Sequence, residues 1–163
     1  AETSPKNIRS LILEDPPLFH HSRVGIEGIS KRFKYNLSLA KSYNSKEEIL
    51  KKFKENSKLV NVKNLEDIAL NLSKLDHKVL EQTIDGSALR YFKPKKIIKN
   101  IKNINTLLLV GNEKKTGEVI IKKEVDFIKE NIKNLSIKNF DCGHNIHEEK
   151  TKEYKEIVIS FLQ

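Results

Sequence analysis

The sequence predicts an α/β fold in which the strands of a parallel sheet alternate with helices, and a helical block follows the first strand. Short apolar segments bounded by turn residues occur at 10–13, 106–110 and 135–140, which is typical of strands in a covered parallel sheet. Helical spacing of apolar residues separates the second segment from the third and also follows the third. The first two segments are separated by about 80 residues without strand signals, too many for an ordinary connection.

The first strand is predicted at residues 10–13, whose letters are SLIL. It ends at Asp15-Pro16-Pro17 because proline cannot continue a strand ladder. The following block reads as helical and polar. Ser45 and Glu48 have the spacing of a capping box, Asn64 is expected to cap a second helix, and a third helix precedes the turn at Asp85-Gly86. Such a block is expected to form a cap or lid.

After Pro94 the sequence predicts a short helix, a strand at 106–110 closed by Gly111, an amphipathic helix, a strand at 135–140 and a last helix. Right-handed crossovers place the carboxyl ends of parallel strands at one edge of the sheet, where ligands bind. The residues that follow the strands are therefore the candidates for chemistry: Glu14-Asp15, Gly111-Asn112-Glu113 and Asp141-Cys142-Gly143-His144.

Composition limits the classes of function. The 163 residues carry 31 Lys and Arg against 22 Asp and Glu, and four of the basic residues are Arg. The lysines are spread through every segment instead of being interleaved with aromatics, which disfavours a nucleic-acid-binding domain. No apolar run approaches the ~20 residues of a membrane span, and no signal peptide is visible. The single cysteine excludes an internal disulfide, so we expect a cytoplasmic protein.

His144 is the sharpest candidate for catalysis. It lies one residue past a glycine in the segment FDCGHNIHEE, residues 140–149, after a predicted strand and before an amphipathic helix. A general base needs a position near the ligand edge and a carboxylate that fixes its tautomer. A lone histidine in a loop more often has a structural role, so the context of the segment decides the interpretation.

That context resembles the C-terminal part of an α/β-hydrolase-fold enzyme. TLLLVGN, a helix, a strand and GHNIHEEKTKEYKEIVISFL are similar to the end of that domain, and NIRSLILEDPPLF resembles the strand and turn after its nucleophile-bearing helix. The resemblance implies a partial α/β-hydrolase fold. Residues 1–17 would be the first core strand and turn, 18–95 the helical cap, and 96–163 the C-terminal core. It covers the whole chain but only the later half of the family's domain.

The resemblance also implies roles for individual residues. His144 matches the histidine that takes a proton from the nucleophile and returns it to the leaving group. At the commonest position of the acid this sequence has Lys114, which cannot orient an imidazolium. Haloalkane dehalogenases place the acid one strand earlier, at the position of Asp15 or, with a one-residue slip, Glu14; Glu113 is a weaker candidate. Asp15 could equally be a turn residue before proline. As the acid, it should lie roughly 2.6–3.2 Å from the imidazole.

The nucleophile of that family has no match in this sequence. The family uses G-x-S-x-G at a strand-to-helix elbow, and the nearest segment, Gly25–Ser30, has no serine between its glycines. The chain also contains no methionine. We therefore expect the nucleophile to precede Ala1 in a longer protein, and this chain alone to be inactive. Its uncovered sheet edge and apolar face would favour association; the oligomeric state is not predicted.

The sequence gives weaker support for a metal site, a phosphate-binding site or a nucleophilic cysteine. His144 and His147 are three residues apart, unlike the i, i+4 pair of the H-E-x-x-H zinc motif, so no metal is expected. Residues 111–117 lack a phosphate-binding motif, and no cofactor is expected. Cys142 is expected to be a small buried filler.

The sequence thus predicts hydrolysis of an ester or related bond in a small-molecule substrate with an apolar part. The alternatives are a non-catalytic α/β binding module and a basic nucleic-acid-binding domain. The cap is expected to form an apolar pocket from Leu18, Phe19, Phe33, Leu80 and Phe92.

Overall fold

The computed structural model describes residues 5–20, 33–56, 64–116 and 119–163. The chain divides into two compact units. One comprises Ala1–Arg23 and Lys93–Gln163 and contains the sheet, and the other comprises Val24–Phe92 and is helical where it is described. GIEGIS, residues 25–30, lies outside the described residues.

The sheet has three parallel strands in the order β1-β2-β3, so the predicted parallel α/β arrangement is confirmed. In β2 the residues 106–110 are buried, whereas β1 and β3 are only partly buried. This difference fits a central strand between two outer strands. The strands are β1 (Ser10–Glu14), β2 (Asn105–Val110) and β3 (Leu135–Asn139).

Helices account for most of the remaining described residues. Two 3₁₀ turns occur, at Pro5–Asn7 and Ser87–Leu89. The α-helices are α1 (33–42), α2 (Lys46–Glu55), α3 (Leu65–Lys74), α4 (His77–Ile84), α5 (Pro94–Asn100), α6 (Glu113–Thr116), α7 (Lys122–Asn131), α8 (Ile146–Glu149) and α9 (Thr151–Leu162). Among the described helices, none is long and apolar enough to cross a membrane.

The sheet is covered on both faces by apolar side chains of the helices. On one face Leu108 packs with Ile98 of α5 and Ile128 of α7. On the other face Leu107 and Leu109 form a core with residues of α9. This explains why β2 is apolar at consecutive positions, because side chains alternate between two buried faces. The helical unit has its own core, in which Ile49, Phe53, Ala69, Leu72 and Leu80 are buried.

Local sequence signals explain most helix boundaries. The Ser45 hydroxyl oxygen accepts the backbone N–H of Glu48 (3.3 Å) at the start of α2, and the Asp76 carboxylate accepts the N–H of Lys78 (3.0 Å) at the start of α4. Asn64 does precede α3, but its φ is 63° and its side chain makes no capping bond. The expected capping by Asn64 is therefore wrong, since its left-handed backbone forms the entry to the helix instead.

Of the five residues named for the apolar pocket, four pack within or against the hydrophobic core of the unit to which each belongs. Leu80 is buried in the core of the helical unit. Phe19 is buried in the core beside the sheet, where it meets the Phe127 ring edge-on at a centroid distance of 5.6 Å. Leu18 and Phe33 pack at the borders of these two cores. Burial of such side chains stabilises each unit, so Phe19 and Leu80 are core residues of their own units. Phe92 is exposed, and the apolar pocket stays a prediction.

Candidate active site

The carboxyl ends of the three strands bring together the segments that carry chemistry. Asp15 directly follows β1, Gly111 directly follows β2, and His144 follows β3 after four intervening residues. Because the strands are parallel and adjacent, these segments share one edge of the sheet.

Asp15 is completely buried, with an exposed fraction of 0%. Its backbone N–H donates to the carbonyl oxygen of Leu109 (2.8 Å), which extends the pairing with β2 by one residue. Its φ is +36°, a value that few residues other than glycine, asparagine and aspartate adopt. The carboxylate oxygen Oδ1 accepts the backbone N–H of Gly111 (3.1 Å). Asp15 is therefore held on both its main chain and its side chain.

The second carboxylate oxygen of Asp15 binds the imidazole of His144. Oδ2 lies 2.8 Å from the ring nitrogen Nδ1, within the range expected for an acid that orients a histidine. A carboxylate only accepts, so Nδ1 carries the proton, and in the neutral ring Nε2 retains its lone pair. The His144 side chain is 46% exposed. Within the described residues, Nε2 of His144 forms no hydrogen bond.

The alternative acids lie elsewhere. Glu14 binds His147 and not His144. Glu113 is the first residue of α6, and the exposed Lys114 follows it. Of the three carboxylates considered, Asp15 is the one that meets the His144 ring.

Glu14 and His147 form a second carboxylate–imidazole pair beside the first. Oε1 of Glu14 lies 2.7 Å from Nδ1 of His147 and also accepts the backbone N–H of the same residue (2.9 Å). The hydrogen bond with Glu14 raises the pKa of His147 above its ordinary value. Both side chains reach solvent, with exposed fractions of 51% for His147 and 22% for Glu14.

The loop that carries His144 is fixed on either side. Cys142 and Ile146 are buried in the core between the sheet and α9, so the expected filler role of the cysteine fits its position. Burial raises the pKa of the Cys142 thiol and keeps it protonated, which disfavours a nucleophilic role. The backbone N–H of Gly143 donates to the Glu149 carboxylate (3.0 Å).

An open cleft of about 830 Å³ lies at the ends of β2 and β3. Within it, Asp141 accepts a hydrogen bond from the Asn112 amide (2.8 Å) and pairs with Lys115 (2.9 Å), and these partners lower the pKa of Asp141. Gly111, whose N–H binds Asp15, belongs to the lining of the cleft, whereas Asp15 and His144 do not. It is lined by Gly111, Asn112, Glu113, Lys114, Asn139, Phe140 and Asp141.

The arrangement is suited to proton transfer. A half-exposed imidazole whose Nδ1–H is bound by a buried carboxylate can take a proton at Nε2 and is stabilised when it does so. In the described part of the chain, no group of three or more His, Cys, Asp and Glu side chains could hold a metal ion.

Sequence reasoning missed two parts of the site. The Gly111 N–H that binds Asp15 is a backbone group and leaves no side-chain signal. The Glu14–His147 pair did leave a signal, since two adjacent acids lie at the end of one strand and two histidines, three residues apart, follow another strand at the same sheet edge.

A scan of the chain against protein-family models finds no match, and a search of curated proteins finds no significantly similar sequence.

Proposed function

We propose that this chain supplies the acid–base part of an α/β-hydrolase active site, in which His144 is the general base and Asp15 orients it. The observation that carries this proposal is the 2.8 Å contact between His144 Nδ1 and the fully buried carboxylate of Asp15. The proposed reaction is hydrolysis of an ester or related bond in a small molecule.

The burial of Asp15 supports a functional interpretation. Removing a carboxylate from water costs several kcal/mol unless partners replace its hydration. Here its hydrogen bonds come from one backbone N–H and one imidazole. A positive φ adds strain, and strained residues cluster at functional sites. A turn before proline requires neither burial nor a distant imidazole, so the interpretation of Asp15 as a simple turn residue explains less.

The chain order of the site supports the same proposal. The acid follows β1, the imidazole follows β3, and a separate helical unit is inserted between β1 and β2. This order corresponds to the resemblance described above, in which a cap interrupts the domain after the acid-bearing strand. The nucleophile is proposed to come from residues of the protein outside this sequence.

In the proposed reaction a hydroxyl nucleophile loses its proton to Nε2 of His144 as it attacks the substrate carbonyl. The imidazolium that forms is stabilised through Nδ1–H by the Asp15 carboxylate. Collapse of the tetrahedral intermediate moves the proton from Nε2 to the leaving alkoxide, and a water repeats the sequence to release the acid product. In this scheme the proton moves between the nucleophile, Nε2 of His144 and the leaving group, and is not passed on to Asp15.

The test uses the intact protein, including any residues encoded before Ala1, and p-nitrophenyl butyrate as the substrate. His144→Ala should lower kcat/KM by roughly 10³-fold or more while leaving the circular dichroism spectrum unchanged. His77→Ala, in the first turn of α4, is the matched control and should leave turnover unchanged. Equal turnover of wild type and His144→Ala would refute the proposal and favour a non-catalytic binding module.

A further inference from the structure

We infer that Glu14 and His147 act as a positioning pair that holds the loop carrying His144 against Asp15. This inference rests on the proposed function, because it assigns the pair a part in that site. Two neighbouring acids at the end of β1 each bind a histidine of the same short segment. The two histidines are three residues apart.

The contact of Glu14 is made to the main chain as well as to a side chain. Its Oε1 accepts both the backbone N–H and the Nδ1–H of His147, at 2.9 and 2.7 Å. His147 lies in the first turn of α8, where backbone N–H groups lack partners within the helix. Glu14 thereby fixes the start of α8 to the end of β1. An exposed ion pair between side-chain tips alone would contribute little.

The imidazole of His144 needs such support. Its side chain is 46% exposed and has one hydrogen bond, to Asp15. Because nearly half of the side chain is exposed, we expect the orientation of the ring to depend on where the main chain of the loop lies. That main chain is anchored at Cys142 and Ile146 by burial and at Gly143 by Glu149. Glu14 adds the anchor that leads directly back to the strand carrying Asp15.

In the part of the chain that the structure describes, the charged side chains that act on the His147 ring are those of Glu14 and Glu148. Oε1 of Glu148 lies 3.8 Å from its Nε2, and the ring of Tyr154 meets it edge-on at a centroid distance of 6.1 Å. The Glu148 carboxylate also accepts a hydrogen bond from the Asn145 amide (3.3 Å). Glu148→Gln keeps an acceptor for that amide and removes a charge that does not reach the end of β1, so it is the matched control.

The experiment follows the Nδ1 proton of His144 by NMR in the intact protein with ¹⁵N-labelled histidine. Glu14→Ala removes the acceptor of both contacts and should speed exchange of that proton with solvent by about tenfold, the factor that corresponds to one charge-assisted hydrogen bond. Glu14→Gln keeps an oxygen that can accept the backbone N–H of residue 147, and His147→Ala keeps that backbone bond to Glu14. Both variants should therefore increase the exchange rate less than Glu14→Ala does. Glu148→Gln should leave the exchange rate unchanged.

Turnover of p-nitrophenyl butyrate gives a second readout. Glu14→Ala should lower kcat with little change in KM, because it misplaces the base without altering substrate contacts. Should Glu14→Ala not fold, Glu14→Gln and His147→Ala decide the question. Unchanged proton exchange in the folded Glu14 variants would overturn the positioning role, as would an equal effect of Glu148→Gln.

The two proposals fail in different ways. If the Glu14 variants speed exchange of the His144 proton but His144→Ala does not affect turnover, the pair positions the ring and the hydrolase proposal is wrong. If His144→Ala abolishes turnover but the Glu14 variants alter neither exchange nor kcat, the hydrolase proposal stands and the positioning role is wrong.

Discussion

The two carboxylate–imidazole pairs at the end of β1 use the same chemistry in different surroundings. Each carboxylate accepts one backbone N–H, that of Gly111 for Asp15 and that of His147 for Glu14. The Asp15 side chain is fully buried, whereas the Glu14 side chain is 22% exposed. The ring distances are nearly equal, 2.8 and 2.7 Å. Distance alone therefore does not distinguish the proposed catalytic pair from the proposed positioning pair. The burial of the carboxylate does differ, and because a desolvated charge acts more strongly on its neighbour, we expect the Asp15 pair to have the larger effect.

The largest difference between the pairs should appear in turnover. Asp15→Asn keeps the size of the side chain and tolerates a positive φ, but its amide would favour the wrong tautomer of His144. We expect a loss of about 10³–10⁴-fold in kcat/KM for p-nitrophenyl butyrate. Glu14→Gln should cost far less, about tenfold at most. Losses of equal size would mean that burial does not separate the two roles.

Loss of the Asp15 carboxylate should lower the unfolding free energy more than loss of the Glu14 carboxylate. Asp15→Ala leaves the Gly111 N–H without its acceptor and places alanine at a positive φ, so we expect unfolding free energy to fall by about 1–3 kcal/mol. Glu14→Ala removes a partly exposed pair and should cost about 1 kcal/mol or less. Urea unfolding measures both, with Asp126→Ala on the exposed side of α7 as the control. A larger loss for Glu14→Ala would contradict the comparison.

The strands could be predicted from sequence because each ends where a physical signal lies. Proline stops β1 and Gly111 closes β2, and the observed strands begin and end within one residue of the predicted ones. The separation predicted for an acid that orients His144 agrees with the 2.8 Å between Asp15 Oδ2 and His144 Nδ1. Asn64 was misjudged because its backbone conformation, not its side chain, starts α3. The burial of Phe19 and Leu80 in hydrophobic cores could not be predicted, because a sequence does not tell a core residue from a pocket residue.

The contribution of the Glu14–His147 pair to stability should depend on pH. The hydrogen bond with Glu14 raises the pKa of His147 above 6.5, so the pair's contribution to stability is complete below that value and declines as the pH rises through the raised pKa. The difference in unfolding free energy between wild type and Glu14→Gln should therefore be larger at about pH 6 than at about pH 9. An NMR titration should show the pKa of His147 falling toward 6.5 in Glu14→Gln. An unchanged titration would show that Glu14 is not its cause.

The smallest effect is expected at Gly143. A Cβ there would collide with the carboxylate of Glu149, which is the far end of a flexible side chain and can move away. Gly143→Ala should then lose one exposed hydrogen bond and about 1 kcal/mol or less of stability. A loss well above that in urea unfolding would mean that the loop tolerates no displacement and depends less on Glu14.

The central claim is that Asp15 acts on the reaction through His144, and a double-mutant cycle tests it most directly. The measured quantity is kcat/KM for p-nitrophenyl butyrate in the intact wild type, Asp15→Asn, His144→Ala and the double variant. Residues that act as a unit are not additive, so the double variant should be no slower than His144→Ala alone. Losses that multiply in the double variant would show that the two residues act independently and would contradict the account.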